Sequence, residues 1–120
     1  MRYGRLIPVL LVFFAAAGCG PDAAFEPTAR VGEPAPPFTV ELTSGGSVSA
    51  EELKGKPLVL TFMAEWCPCS NESAPVFKEV YSRYNPEGVE FLMLGFQDSR
   101  SKFGEFVERE AFPFLTGFDT

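Results

Sequence analysis

Two cysteines, Cys67 and Cys69, flank a single proline in the stretch TFMAEWCPCSNESAPVF, residues 61–77. Thiols this close serve few chemistries: a disulfide that forms and breaks, a soft-metal site, or plain packing. A proline between them, where a strand meets a helix, fits poorly with plain packing. The chain holds no histidine, so the commonest general base and the commonest metal ligand are missing. Serine–histidine catalysis and most zinc or copper sites go with it; no metal ligand and no cofactor are expected. Thiol–disulfide exchange is not hindered, since it needs only a thiolate, a leaving thiol and access.

Cys67 falls at the expected N-terminus of a helix, where free N–H groups and the helix dipole favour the thiolate. Residues i and i+2 of an α-helix point about 200° apart. A Cys67–Cys69 disulfide therefore requires Cys67 and Pro68 to stay outside helical geometry. Such a small ring is expected to be strained, and a strained bond is more easily reduced. Without the bond, Cys67 acts as a monothiol; the spacing leaves both states open. Trp66 and Phe62 supply an apolar shelf for a partner's disulfide. Glu65 and Glu72 flank the site, either as proton shuttles for a leaving thiol or as solvated acids at a helix start.

The elements that must position these residues follow from hydrophobic periodicity. Phe38, Val40 and Leu42 alternate with polar residues, which predicts a strand, and Gly45-Gly46 predicts a hairpin into a short strand at 47–49. Ser49 with Glu51 and Glu52 predicts one helical turn, stopped by Gly55 and Pro57. PLVLTFMAE reads as a strand covered on both faces. Ala74, Val76, Phe77, Val80, Tyr81 and Tyr84 recur at helical spacing, opposite Lys78, Glu79 and Arg83, with a kink expected at Pro75. NPEG (85–88) breaks that helix, and VEFLMLGF reads as a second buried strand. Ser101 is expected to cap a short helix with Phe103, Phe106 and Val107 on its apolar side, and Phe112 and Phe114 join the core. A last extended segment, AFPFLTGFDT, ends the chain. The pattern is α/β, built around one right-handed βαβ unit, with the cysteines at the carboxyl end of its first strand.

With 120 residues this is at most one small domain, and thirteen phenylalanines can fill its core. The net charge of −6, without a basic run, gives nucleic acid no electrostatic footprint. The N-terminus reads as an export signal: MRYGR is a basic n-region, and LIPVLLVFFAAA an apolar core of about a dozen residues. A comfortable span wants roughly 20 residues. Ala16, Ala17 and Gly18 precede Cys19, which resembles the lipobox of bacterial lipoproteins. That resemblance implies a signal peptide over 1–18 and lipidation at Cys19, holding the chain on a membrane of the bacterial cell envelope, facing outward. Ala16 departs from the usual leucine, so ordinary signal cleavage nearby stays open. A proline-rich tether, 19–36, leads to a domain over 37–120.

The domain's motifs resemble the redoxin and membrane-anchored thiol-disulfide oxidoreductase branch of the thioredoxin-like superfamily, similar to cytochrome c maturation thioredoxins. Gly32, Ala35, Pro36 and Phe38 match its opening, Gly55, Lys56 and Pro57 its pre-strand motif, and Phe62, Ala64, Trp66 and Cys67 its active-site approach. The resemblance implies a thioredoxin-like fold: an N-terminal β-hairpin extension and a βαβ half, with the family's C-terminal ββα apparently missing. It implies exchange with protein thiols and disulfides, and a membrane electron donor or acceptor. Where the family has C-x-x-C, this chain has C-P-C-S. Aligned without gaps, Cys67 is the attacking cysteine and Ser70 occupies the resolving position, with Cys69 an extra thiol between them. Aligned with one residue deleted, Cys69 resolves and Glu72 takes the place of the family glutamate. The alternatives are peroxiredoxin-like peroxide reduction, a Cu(I)-carrying thioredoxin fold, and an inactive truncated protein. Against the first stands Ala64, where that family has a threonine three residues before its cysteine.

Overall fold

The alternation at Phe38, Val40 and Leu42 becomes strand β1 (Thr39–Leu42), and Gly45-Gly46 turns it into β2 (Ser47–Ser49). The computed structural model describes residues 29–119. The leader assigned to 1–18, Cys19 and the first part of the tether lie outside the described residues. Both hairpin glycines have positive φ, 92° and 79°, which a side chain would resist. Val40 faces Val48 across the antiparallel ladder, and both are buried.

The helical turn expected after Ser49 does not form; residues 50–55 are turns. The capping signal is physical all the same. Ser49 N–H donates to Glu52 Oε2 at 2.8 Å, and Glu52 N–H donates to Ser49 Oγ at 3.4 Å. The Ser49 hydroxyl, which donates to Glu52 Oε2 at 2.8 Å, and then the Ser49 N–H hold the Glu52 carboxyl below the usual carboxylate range. Gly55 and Pro57 end the segment before a costly first turn can propagate.

Strands β3 (Leu58–Met63), β4 (Glu90–Gly95) and β5 (Leu115–Phe118) run parallel, in a five-stranded sheet of order β2-β1-β5-β4-β3. Helix α1 (Pro68–Tyr84) joins β3 to β4, and α2 (Arg100–Glu110) joins β4 to β5. Two consecutive crossovers therefore replace the single one expected. Strand β1 closes on β5 antiparallel. Gly117 permits that approach, since a Cβ there would stand 2.7 Å from the Glu41 carbonyl oxygen.

Two apolar clusters lie on opposite faces of the sheet. Met63, Ala74, Met93, Phe103 and Phe106 form one beneath α1 and α2. Val40, Val48, Leu92 and Leu94 form the other, with Phe38 and Leu53 packed against them. Neighbouring residues of β4 point into different clusters, as the strand pleat dictates, so β4 is buried on both faces as expected. Strand β3 is not. It lies at the sheet edge, with Leu60 40% and Phe62 53% exposed, and no strand among the described residues pairs its outer side. An apolar run identifies a strand; pairing decides its place in the sheet.

Helix α1 buries Ala74 completely, but Val76 is 56% exposed, so the buried stripe is narrower than the periodicity suggests. The helix continues through Pro75 and ends in a 3₁₀ turn, Asn85–Glu87, with Gly88 at φ 91°. The cap of α2 is Ser99, not Ser101: Ser99 Oγ accepts from Lys102 N–H at 3.2 Å. The chain is extended at Ser99, which leaves Ser101 inside the first turn, its hydroxyl toward Glu105. Arg100 reaches across to β1 and bonds both carboxylate oxygens of Glu41, at 2.7 and 2.8 Å. That pairing holds the Glu41 carboxyl below its usual range and raises the Arg100 guanidinium. Among the described residues, no helix is long and apolar enough to cross a membrane.

Candidate functional site

The junction between β3 and α1 is built from backbone bonds. Cys67 N–H donates to the Ala64 carbonyl at 3.1 Å, closing a turn after the strand. Cys67 takes the N-cap position with extended backbone, φ −87° and ψ 118°, and makes no side-chain cap bond. Its carbonyl accepts from Ser70 N–H at 3.0 Å and Asn71 N–H at 3.3 Å. Pro68 is already the first helical residue, where a missing N–H leaves no bond unmade.

Cys67 and Cys69 are joined by a disulfide, with their Cα atoms 5.3 Å apart. Helical spacing predicts that both Cys67 and Pro68 leave helical geometry; in the structure only Cys67 does, and Pro68 is already helical. Because the chain enters the helix at an angle at Cys67, residues 67 and 69 do not share one helical cylinder.

A shallow groove of about 150 Å³ opens over the disulfide, and Phe62, Trp66, Cys67, Cys69 and Ser70 line it together with Phe96. Trp66 is 58% and Phe96 42% exposed; Phe62 and Phe96 meet edge to face, with ring centroids 6.2 Å apart. The expected shelf is thus present, widened by Phe96. Ser70 is buried, and its Oγ accepts from Ala64 N–H at 3.1 Å. That bond ties the end of β3 to the first turn of α1. Pro68 and Glu72 are exposed and lie outside the groove lining, and Glu72 makes no side-chain hydrogen bond or ion pair among the described residues.

The loop between β4 and α2 completes the site. Phe96 N–H donates to the Met63 carbonyl at 2.9 Å, and Glu65 N–H to Asp98 Oδ2 at 2.6 Å. Trp66 Nε1–H donates to the Gln97 carbonyl at 3.1 Å. Gln97 has φ 49°, a left-handed conformation uncommon for a residue with a side chain. Asn71 Nδ2 donates to the Glu65 and Cys67 carbonyls, and Asn71 Oδ1 accepts from Arg109. None of Asn71, Phe96, Gln97, Asp98 or Arg109 was expected at the site. Phe96 carried a usable signal, since it directly follows a strand whose carboxyl end adjoins that of β3. The others act across sequence gaps that no local pattern reports.

Residues 31–120 match the model of the AhpC/TSA family. The chain belongs to the AhpC/TSA family. Within reach of this family member is the thiol-disulfide oxidoreductase ResA of Bacillus cereus (strain ZK / E33L), 32% identical over 91 residues, 75% of this chain and 52% of that protein. A ResA of Bacillus thuringiensis subsp. konkukian is 30% identical over 126 aligned residues, 99% of this chain and 72% of its own. A solved structure, that of a secreted Mycobacterium tuberculosis disulfide oxidoreductase homologous to E. coli DsbE, matches with a TM-score of 0.63 at 29% identity. It covers 69% of this chain and 60% of that one. The fold is thioredoxin-like, as the motifs imply. The chain spans about half the length of the first of these relatives.

Proposed function

We propose that this AhpC/TSA family member is a thiol-disulfide oxidoreductase that acts on protein thiols and disulfides through Cys67 with Cys69. The observation that carries the reading is the Cys67–Cys69 disulfide at the N-terminus of α1, beneath exposed aromatic side chains. In the reducing direction, the Cys67 thiolate attacks one sulfur of a substrate disulfide. A Cys67–substrate disulfide forms and one substrate thiolate leaves. The Cys69 thiolate then attacks the Cys67 sulfur, closing the Cys67–Cys69 disulfide and releasing the second substrate thiolate. Two electrons pass from the protein to the substrate; the reverse sequence oxidises a dithiol. Phe62, Trp66 and Phe96 offer the apolar surface on which the substrate segment rests, and Pro68 and Ser70 shape the loop. Glu72, exposed one turn into α1, remains a candidate proton shuttle reached through water.

We further infer that Cys19 carries a lipid anchor, that residues 1–18 are its signal, and that the domain faces outward from the bacterial membrane. A membrane electron donor or acceptor then resets the cysteine pair. The short basic and apolar leader supports this, as does the similarity to a protein described as secreted. Labelling with radioactive palmitate should mark the wild type and not Cys19→Ala.

Insulin reduction with a dithiol donor tests the exchange activity. Wild type should accelerate it, and Cys67→Ser should not exceed the uncatalysed rate. Equal rates for both proteins would defeat the assignment. Peroxide reduction is the weaker reading, because buried Ala64 offers no hydroxyl where peroxidases of similar sequence place a threonine.

A further inference from the structure

We propose that Asn71 is a positioning residue for the cysteine pair, that Arg109 acts through it, and that the two raise the effective concentration of Cys67 toward Cys69. The inference rests on the reading of these cysteines as a working redox pair.

Asn71 is the fourth residue of α1. Its Nδ2 donates to the carbonyls of Glu65 and Cys67, each at 2.9 Å. Those carbonyls stand on either side of Trp66, so one amide group pins the whole Glu65–Cys67 stretch to the helix. Asn71 Oδ1 accepts from Arg109 Nη2 at 2.6 Å, across 38 residues of sequence. Arg109 is itself held, lying over the Phe106 ring at 5.3 Å and beside Glu110 at 3.4 Å. The last turn of α2, through Arg109, thereby fixes the orientation of the Asn71 amide, and that amide fixes the loop.

The consequence appears when the disulfide opens. Two glutathione thiols react with the Cys67–Cys69 bond to give two protein thiols and one glutathione disulfide. The covalent tie between residues 67 and 69 is then gone. Cys69 stays inside the helix, whereas Cys67 lies outside it, where its place depends on the backbone of residues 65–67. The two Asn71 bonds hold that backbone. A loop already ordered loses less conformational entropy when the sulfurs rejoin, so the held dithiol closes more readily.

The test is the equilibrium between glutathione and the Cys67–Cys69 pair in the full chain, read by alkylating free thiols and weighing the intact protein. Asn71→Ala is expected to lower the equilibrium constant for disulfide formation about tenfold, equivalent to about 30 mV toward easier reduction. Asn71→Asp keeps the acceptor for Arg109 but loses both donors, and should shift the constant in the same direction. Arg109→Gln should lower it about threefold alone and not at all when Asn71 is already alanine. A merely structural role would lower the unfolding midpoints of the oxidised and reduced chains together and leave the constant unmoved. A constant within about twofold of wild type in Asn71→Asp overturns the proposal, as does an Arg109 effect that persists in Asn71→Ala. If Asn71→Ala does not fold, Asn71→Asp and exposed Arg109→Gln still decide. The readout needs no turnover. A wild type inert toward insulin, with variants that shift as expected, would therefore refute the proposed activity and not the clamp.

Discussion

Two strand-to-helix junctions stand side by side at the carboxyl ends of β3 and β4, and they are ordered in opposite ways. At the start of α2, Ser99 caps the helix with its own hydroxyl, and Asp98 Oδ1 accepts the Ser99 N–H at 2.9 Å. At the start of α1 a cysteine occupies the same position, without any side-chain cap bond. A serine or aspartate there would be worth about 1 kcal/mol. The cysteine junction forgoes that and takes its order from other residues: from Asn71 in its own helix, and, across the sheet end, from Asp98 and from the Gln97 carbonyl on the Trp66 indole. The self-capped junction holds the one whose cap sulfur is taken up in a disulfide. Gln97, left-handed at φ 49°, carries local strain of about 1 kcal/mol or more so that its carbonyl can face Trp66. A well-capped helix on one side and a buried strand on the other can sustain that strain.

Breaking the support common to both junctions should have the largest effect. A Cβ on Gly95 would lie 2.5 Å from the Phe103 ring, and that ring is fully buried beneath α2. Gly95→Ala should lose roughly 1–3 kcal/mol in denaturant unfolding, because a ring cannot yield as a flexible chain end does. Cutting the bond between the junctions comes next. Asp98→Ala strands the Glu65 N–H and should cost about 1–2 kcal/mol, with a change in Trp66 fluorescence as its loop loosens. Exchanging the caps then sharpens the contrast. Ser99→Ala should lose about 1 kcal/mol and leave the glutathione equilibrium unchanged. Cys67→Ser should instead gain up to about 1 kcal/mol over the reduced wild type, since a hydroxyl caps where a thiol does not. The smallest effect concerns the Arg100–Glu41 pair, which is exposed. The pair lowers the folded-state pKa of Glu41, so its contribution is full above the unfolded value near 4.5 and fades as pH falls through the lower folded value. Arg100→Gln should therefore alter stability slightly at neutral pH and flatten the loss below pH 4.5, seen in acid titrations followed by circular dichroism.

What was legible in the sequence was whatever short-range chemistry decides. The hairpin at Gly45-Gly46 and the strand through Val40 need only alternation and positive φ, and both form as read. Phe103 and Phe106, three residues apart, are core because a helix puts them on one side. The position of Cys67 at a helix start was legible for the same reason. Ser99 and Ser101 offer the same cap two residues apart, so only the path of the chain from β4 selects between them. The edge place of β3 was hidden because its apolar run suits a central strand equally well. Ser70 could be read as a vacated thiol position, but its bond to Ala64 depends on how the turn closes. The link from Arg109 to Asn71 spans two helices and leaves no periodic trace.

In the proposed reaction Cys67 exchanges with a substrate disulfide and Cys69 completes the exchange. Incubating Cys69→Ser with a disulfide-bonded peptide and mapping the products by mass spectrometry tests it most directly. A stable mixed disulfide on Cys67 is expected, absent from wild type because Cys69 resolves it. No adduct on Cys67, or an adduct that wild type retains equally, would contradict it.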